Sequence, residues 1–181
     1  MPGITEDAPL DQDFRTPREF FEGVSSWLGP FTLDAAASKD NALCERFYDV
    51  RSNGLLRDWD EVNVWCNPPY SDPLAWCMKA IRELDEGRCE SVVMLLHLDT
   101  STRWFHDVVL ERAAAIYFVK ARIRFEGPLV QKDGSSPRPS ALIHFTRNAF
   151  RVIDRVFCGI DTAGKLIQPQ TRLEFEFEFT Q

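Results

Sequence analysis

Apolar positions along this chain change period several times, and each change marks an element. Thr16-Pro17-Arg18-Glu19 has the form of a capping box with proline at the first helical position. Phe20, Phe21, Val24, Trp27 and Leu28 follow at helical spacing until Gly29-Pro30. Phe31-Thr32-Leu33 reads as a strand ending at Asp34, followed by the small residues Ala35-Ala36-Ala37-Ser38. Residues 39–52 are expected to hold a short helix and a short strand around Phe47-Tyr48, and Asn53-Gly54-Leu55 a strand end and turn. Residues 62–66 form a strand that delivers Asn67, and Asp72-Pro73 starts an amphipathic helix through Trp76, Met78, Ile81 and Leu84 that Gly87 stops. Residues 91–96 are almost wholly apolar, the pattern of a parallel strand covered on both faces. Thr100 or Ser101 caps a further helix carrying Trp104, Phe105, Val108 and Val109. Residues 114–119 and 141–145 read as strands around a loop over 126–139. Gly164 marks a turn, and Leu173 to Phe179 alternates strictly with Glu, so the last strand is half-exposed.

Strands alternating with helices imply an α/β domain, with a mostly parallel sheet, helices on both faces and a closing antiparallel C-terminal strand. Residues 1–14 carry Pro, Asp and Glu with little periodicity and read as a mobile lead-in, leaving 15–181 as a single domain. Such sheets bind ligands at the carboxyl ends of their strands. Asp34, Asn53 and Asn67 all fall at expected strand ends and would converge on one pocket.

Composition narrows the function classes. A chain of 181 residues that is 44% hydrophobic has material for a substantial core. Its formal net charge of -7 argues against coating nucleic acid by bulk electrostatics. No apolar run is long enough to span a membrane and Met1-Pro2-Gly3 begins no signal peptide, so a cytoplasmic protein is expected. Cys44, Cys66, Cys77, Cys89 and Cys158 form no C-x-x-C pair, and His97, His106 and His144 lie far apart. Free thiols and no metal site are therefore expected.

The sharpest chemistry lies in Asn67-Pro68-Pro69-Tyr70. An exocyclic amine on a nucleobase is a poor nucleophile, because its lone pair is delocalised into the ring. Acceptors for both of its hydrogens would favour a pyramidal nitrogen, and the Asn67 side-chain carbonyl with the Pro68 backbone carbonyl can supply them. The two prolines fix the backbone that aims them. Tyr70 offers a flat face on which an extruded base can stack. No strong general base is required, since the proton can leave once the nitrogen is cationic.

Between Lys120 and Arg155 the cations are Lys120, Arg122, Arg124, Lys132, Arg138, Arg147, Arg151 and Arg155, against the acids Glu126, Asp133 and Asp154. That stretch is locally basic, and Lys132 and Arg138 in the 126–139 loop are candidates for contact with a nucleic-acid backbone.

These pieces together resemble the amino-methyltransferases that use S-adenosylmethionine, most closely the phage-type DNA N-6-adenine methyltransferase family. The resemblance runs from Thr16 to about Phe145. It rests on Thr16-Pro17, Phe31-Thr32-Leu33-Asp34-Ala35-Ala36, Asn53-Gly54-Leu55 with Asp58-Trp59, Trp65-Cys66-Asn67-Pro68-Pro69-Tyr70-Ser71, Thr102-Arg103-Trp104-Phe105 and Arg122-Ile123-Arg124-Phe125. It implies a Rossmann-like class I methyltransferase fold and transfer of a methyl group to adenine N-6 in DNA with base flipping. It implies catalysis by Asn67, Pro68, Pro69 and Tyr70. S-adenosylmethionine would be held by Thr16, Pro17, Asp34, Ala35, Ala36, Asn53 and Leu55, and DNA by Arg103, Arg122, Arg124, Lys132 and Arg138. A phage-encoded enzyme would work in the bacterial host cytoplasm, in host mimicry or protection from restriction. Three departures stand out: Ala35-Ala36-Ala37-Ser38 lacks the usual glycines, Asn53 stands where Asp is more usual, and Lys120-Ala121-Arg122 replaces an expected Gly-Arg. The alternatives are methylation of a protein glutamine or an RNA guanine, and a non-catalytic DNA-binding domain on the same fold.

Overall fold

The computed structural model describes residues 14–127, 136, 138–147 and 156–167. Seven strands form one sheet: β1 (Leu33–Asp34), β2 (Arg46–Phe47), β3 (Asn63–Cys66), β4 (Ser91–His97), β5 (Ala115–Val119), β6 (Ser140–Thr146) and β7 (Val156–Ile160). Their order is β2-β1-β3-β4-β6-β5-β7. β6 runs antiparallel to β4 and β5, and every other pairing is parallel. The expected mostly parallel α/β sheet is what forms, and its antiparallel member lies inside the sheet.

Alternation along the strands divides the core. Val92, Met94 and Leu96 of β4 face one apolar cluster, and Val93 and Leu95 face the other. Helix α1 (Arg18–Leu28) covers the second cluster with Phe20, Phe21 and Val24. Helix α2 (Pro73–Asp85) covers the first with Trp76, Cys77, Ala80, Ile81 and Leu84. Phe105 and Val109 join that first face from a π-helical stretch, Phe105–Val109, which ends in a last α-turn, α3 (Leu110–Arg112). Helices thus cover both faces, which explains why β4 is apolar on both sides. α1 also packs tightly against the 161–164 turn: a Cβ on Gly23 would overlap the Ala163 carbonyl, and Trp27 Nε1 donates to the Gly164 carbonyl at 2.8 Å.

Several elements differ from the sequence pattern. The capping box does not form, because Pro17 is the N-cap of α1 and no side chain caps that helix. Residues 39–45 make turns instead of a helix, and Asn53 lies in a turn at φ 53 instead of at a strand end. Thr100 and Ser101 cap nothing: Asp99 accepts from the Ser101 N–H at 3.2 Å and from the Ser101 hydroxyl at 2.6 Å. β7 was not anticipated, because its short run, Val156-Phe157-Cys158-Gly159-Ile160, carries a glycine and no alternation. The alternating stretch Leu173 to Phe179 falls outside the described residues. Among the described residues no helix is long and apolar enough to cross a membrane.

One buried ionic cluster ties α2 to the loops at the sheet edge. Glu83 is fully buried and accepts from Lys79 Nζ at 2.5 Å, from Arg88 Nε at 2.6 Å and from the Trp59 backbone N–H at 2.8 Å. Burial pushes its carboxyl up, but the bonds from Arg88, Lys79 and the Trp59 N–H outweigh burial and hold it at about 2. Because its pKa is depressed, its contribution to stability is present above about 4.5 and is lost as pH falls toward about 2. Glu83→Ala strands the buried Lys79 ammonium without its partner, so it should cost about 3–5 kcal/mol in urea unfolding at neutral pH.

Candidate active site

β1, β3 and β4 are adjacent and parallel, so their carboxyl ends emerge together. β1 ends at Asp34, β3 hands on to Asn67, and β4 ends at His97. A cavity of about 440 Å³ opens at this edge, within the range of small-molecule pockets. Phe14 to Thr16 form one side of it, and Asp34 to Ser38, Tyr48 to Val50 and Asn53-Gly54 form the other. Asn41, Leu43, Trp65, Asn67, Pro69 and Trp76 complete it.

Of the sequence candidates, Thr16, Asp34, Ala35, Ala36, Asn53, Asn67 and Pro69 line this cavity. Pro17, Leu55, Pro68 and Tyr70 do not, although Tyr70 touches Asn67 directly. Sequence reasoning missed Phe14, Arg15, Asn41, Leu43, Tyr48, Asp49, Val50 and Trp76. Phe14 had been assigned to the lead-in, and nothing local signals that its backbone carbonyl meets Asn67.

Asp34 is 3% exposed, and its carboxylate accepts only from the backbone N–H groups of Leu43 at 3.2 Å and Ala36 at 3.4 Å. Burial raises its pKa to about 6 against the pull of those two bonds. No cationic side chain is bonded to it among the described residues. A buried carboxylate in a cavity wall without a protein cation is a site for a cationic ligand.

The opposite wall is held from behind. Trp59 Nε1 donates to the Gly54 carbonyl at 2.8 Å, and Glu83 grips the Trp59 backbone. Gly54 lies so close to the Ala35 carbonyl that a Cβ there would overlap it. Asn53 occupies the left-handed region, which Asn tolerates better than most residues. Its Oδ1 accepts from the Leu55 N–H at 3.1 Å, leaving a second lone pair on that oxygen.

Around Asn67 the bonds form a chain. Its Nδ2 donates to the Phe14 carbonyl at 2.7 Å and to Thr16 Oγ1 at 3.0 Å. The Tyr70 hydroxyl donates to its Oδ1 at 2.8 Å. The Tyr70 ring stacks on His97 at 3.7 Å between centroids, with Phe14 and Phe125 packed around the pair. One face of the Tyr70 ring, expected from the sequence to receive a base, rests on an imidazole. His97 Nε2 bonds Ser136 Oγ at 3.0 Å, and burial with Arg138 and Arg122 nearby lowers its pKa to about 4. The ring is therefore neutral at physiological pH.

Comparison with known proteins fits this geometry. The sequence model of the DNA N-6-adenine-methyltransferase (Dam) family matches residues 5–158. The chain belongs to that family. The DNA N-6-adenine-methyltransferase of Escherichia phage T1 is 40% identical over 118 residues, which cover 65% of this chain and 48% of that protein. The protein of the same name from Haemophilus phage HP1 is 32% identical over 120 residues, covering 66% of this chain and 69% of that one. The chain thus spans about half the length of the phage T1 relative. A crystal structure of the 23S rRNA methyltransferase ErmE overlaps at a TM-score of 0.45 and 13% identity, covering 77% of this chain and 71% of that one. That likeness is too loose to carry an argument.

The cationic candidates separate by position. Arg122, Arg124 and Arg138 are exposed, and Arg122 and Arg138 act electrostatically on His97, so they rim the Tyr70 side of the site. Arg103 is 96% exposed and lies 3.4 Å from Asp107 one helical turn on. Lys132 falls outside the described residues. No group of three or more His, Cys, Asp or Glu among the described residues could hold a metal ion.

The departure at Lys120-Ala121-Arg122 has a physical consequence. Ala121 sits at φ 68, in the left-handed region where a Cβ is strained. The glycine expected there would carry no such strain. Ala121→Gly should therefore stabilise the protein by about 0.5–1 kcal/mol after the extra entropy of the unfolded glycine is subtracted. Chemical denaturation of the two proteins checks the sign.

Proposed function

We propose that this protein transfers a methyl group from S-adenosylmethionine to adenine N-6 in DNA, with the target base extruded from the duplex toward Tyr70. The observation that carries the reading is the Asn67 amide at the carboxyl edge of the sheet, in a cavity whose wall holds a buried carboxylate that no cationic side chain among the described residues pairs with. Family membership and the names of the phage relatives favour adenine in DNA over a glutamine or a guanine in RNA.

The cavity's residues fit that donor. Asp34 offers an anionic partner to a cationic ligand, Ala35 and Ala36 leave room beside it, and Asn53 keeps a lone pair for an amine. A donor without phosphate needs no glycine cradle for one, so the alanine-rich loop is no obstacle. S-adenosylmethionine, when bound, supplies an electrophilic methyl carbon; the remaining work belongs to this chain.

Asn67 Oδ1 accepts one hydrogen of the target amine, and the Pro68 carbonyl is the candidate acceptor for the other. These acceptors favour the pyramidal nitrogen on which the positive charge develops. The Tyr70 hydroxyl donates to Oδ1 and orients it, and the second lone pair of that oxygen is left for the incoming amine. The neutral His97 takes no part as a strong base, and the amine proton leaves to water after the nitrogen becomes cationic. Arg122 and Arg138, on the rim, are placed to contact phosphates flanking an extruded base.

Asn67→Ala should lower the methyl transfer rate to unmethylated DNA by about a hundredfold to a thousandfold, while S-adenosylmethionine binding by calorimetry stays near that of the parent. Near-parental turnover would overturn the mechanism.

Asp34 makes the second test. Its carboxylate must be ionised to attract a cation, and its pKa is raised to about 6. S-adenosylmethionine affinity should be level above pH 6 and weaken below it, by up to about tenfold per pH unit. In Asp34→Asn the affinity should be low and independent of pH across that window. Calorimetry from pH 5 to about 8, bracketing that pKa, separates the outcomes.

A further inference from the structure

We infer that the strand-like strap Phe14 to Thr16 is a positioning element for Asn67, and that Thr16 acts through its hydroxyl on that amide instead of on the methyl donor. The inference rests on the proposed amino-methyl transfer for its kinetic consequence, but its geometry stands apart from it.

A primary amide has two N–H hydrogens. Those of Asn67 meet two acceptors on the strap, the Phe14 carbonyl at 2.7 Å and Thr16 Oγ1 at 3.0 Å. Rotating the amide by half a turn would set Oδ1 against the Phe14 carbonyl, which has no hydrogen to offer. The strap therefore fixes which end of the amide faces Tyr70, and that end is the oxygen. A free asparagine side chain would populate both orientations, and only one presents an acceptor to an amine.

The strap is itself anchored. The Arg15 N–H donates to the Glu126 carbonyl at 2.8 Å, and the Glu126 N–H donates back at 2.9 Å. The Phe14 ring packs 5.5 Å from Phe125 and 5.6 Å from both Tyr70 and His97. Thr16 is 7% exposed and stands just before α1, where a threonine hydroxyl ordinarily caps the helix. Here it caps nothing, since α1 takes Pro17 as its N-cap and lacks a side-chain cap. The hydroxyl that the helix could use is turned to Asn67.

Thr16→Val keeps the volume and removes the acceptor; Thr16→Ser keeps the acceptor. In protein labelled with 15N-asparagine, the Asn67 carboxamide pair is assigned by its absence in Asn67→Ala. Its hydrogens should exchange slowly in the parent, faster in Thr16→Val, and slowly again in Thr16→Ser. With unmethylated DNA, kcat in Thr16→Val should fall by about tenfold to a hundredfold, as when an orienting group behind a reacting side chain is lost. S-adenosylmethionine affinity should be unchanged, and Thr16→Ser should recover most of the lost turnover. An unaltered amide exchange rate in Thr16→Val would overturn the inference. So would weakened donor binding at unchanged kcat, which puts the hydroxyl on the ligand. If the parent protein transfers no methyl to DNA, the proposed function fails, and the exchange rates alone still decide the role of the strap.

Discussion

Parallel pairing of three short strands fixes where the active side chains can be. Leu33 pairs with Val64 and Asp34 with Trp65, while Cys66 pairs with Met94. That register puts the end of β1 and the end of β3 in one place, so a buried acid and an amide share a cavity although 33 positions separate them in sequence. A slip of one residue would turn Asp34 and Trp65 to the opposite faces. Backbone bonds beyond the strands hold the loops to the same register: the Ala35 N–H donates to the Trp65 carbonyl at 2.9 Å, and the Tyr48 N–H to the Asp34 carbonyl at 2.9 Å.

The supporting contacts follow from that edge. Glu83 fixes Trp59, Trp59 fixes Gly54, and Gly54 closes against Ala35. On the other side the strap fixes Asn67, and Asn67 holds Tyr70. Both chains of contact begin at a hydrogen-bonded anchor, helix α2 in one case and the paired backbone bonds of the Arg15–Glu126 bridge in the other. A site supported in this way loses little entropy when a ligand arrives, because the acceptors are already aimed.

Strands β1 to β6, helices α1 and α2 and the Asn67-Pro68-Pro69-Tyr70 motif were legible in the sequence, because each rests on local pattern; β7 was not, and the short helix expected within 39–52 does not form. Amphipathic spacing predicted α1 and α2 to within a few residues, and the apolar run predicted β4. The motif pointed to an amide that does line the cavity, but described Tyr70 only as a face. Its hydroxyl bond to Asn67 and its stack on His97 depend on β4 ending beside β3, which no local signal encodes. Thr16 is the clearest case of local and tertiary demands in conflict. Its sequence context asks for a helix cap, and the fold uses the hydroxyl elsewhere. Asn53 was placed by its motif and mistaken in its element, since Asn-Gly reads equally as a strand end or a turn.

The two polar poles of the cavity are unequal in a way that bears on what it admits. Asp34 is a buried charge with no counter-ion among the described residues, and two backbone N–H groups offset its burial only in part; it selects by charge. Asn67 is a dipole with all its hydrogens engaged, and its oxygen already has a donor in Tyr70; it selects by direction. A ligand without positive charge gains little at the first pole, and one without a donor gains little at the second. The rim adds a third condition. Arg122 and Arg138 lie near enough to act electrostatically on His97, on a chain whose net charge is -7, so a polyanion is better received at this edge than the net charge suggests. One cationic donor, one amine and one polyanionic approach are the combination that satisfies all three at once.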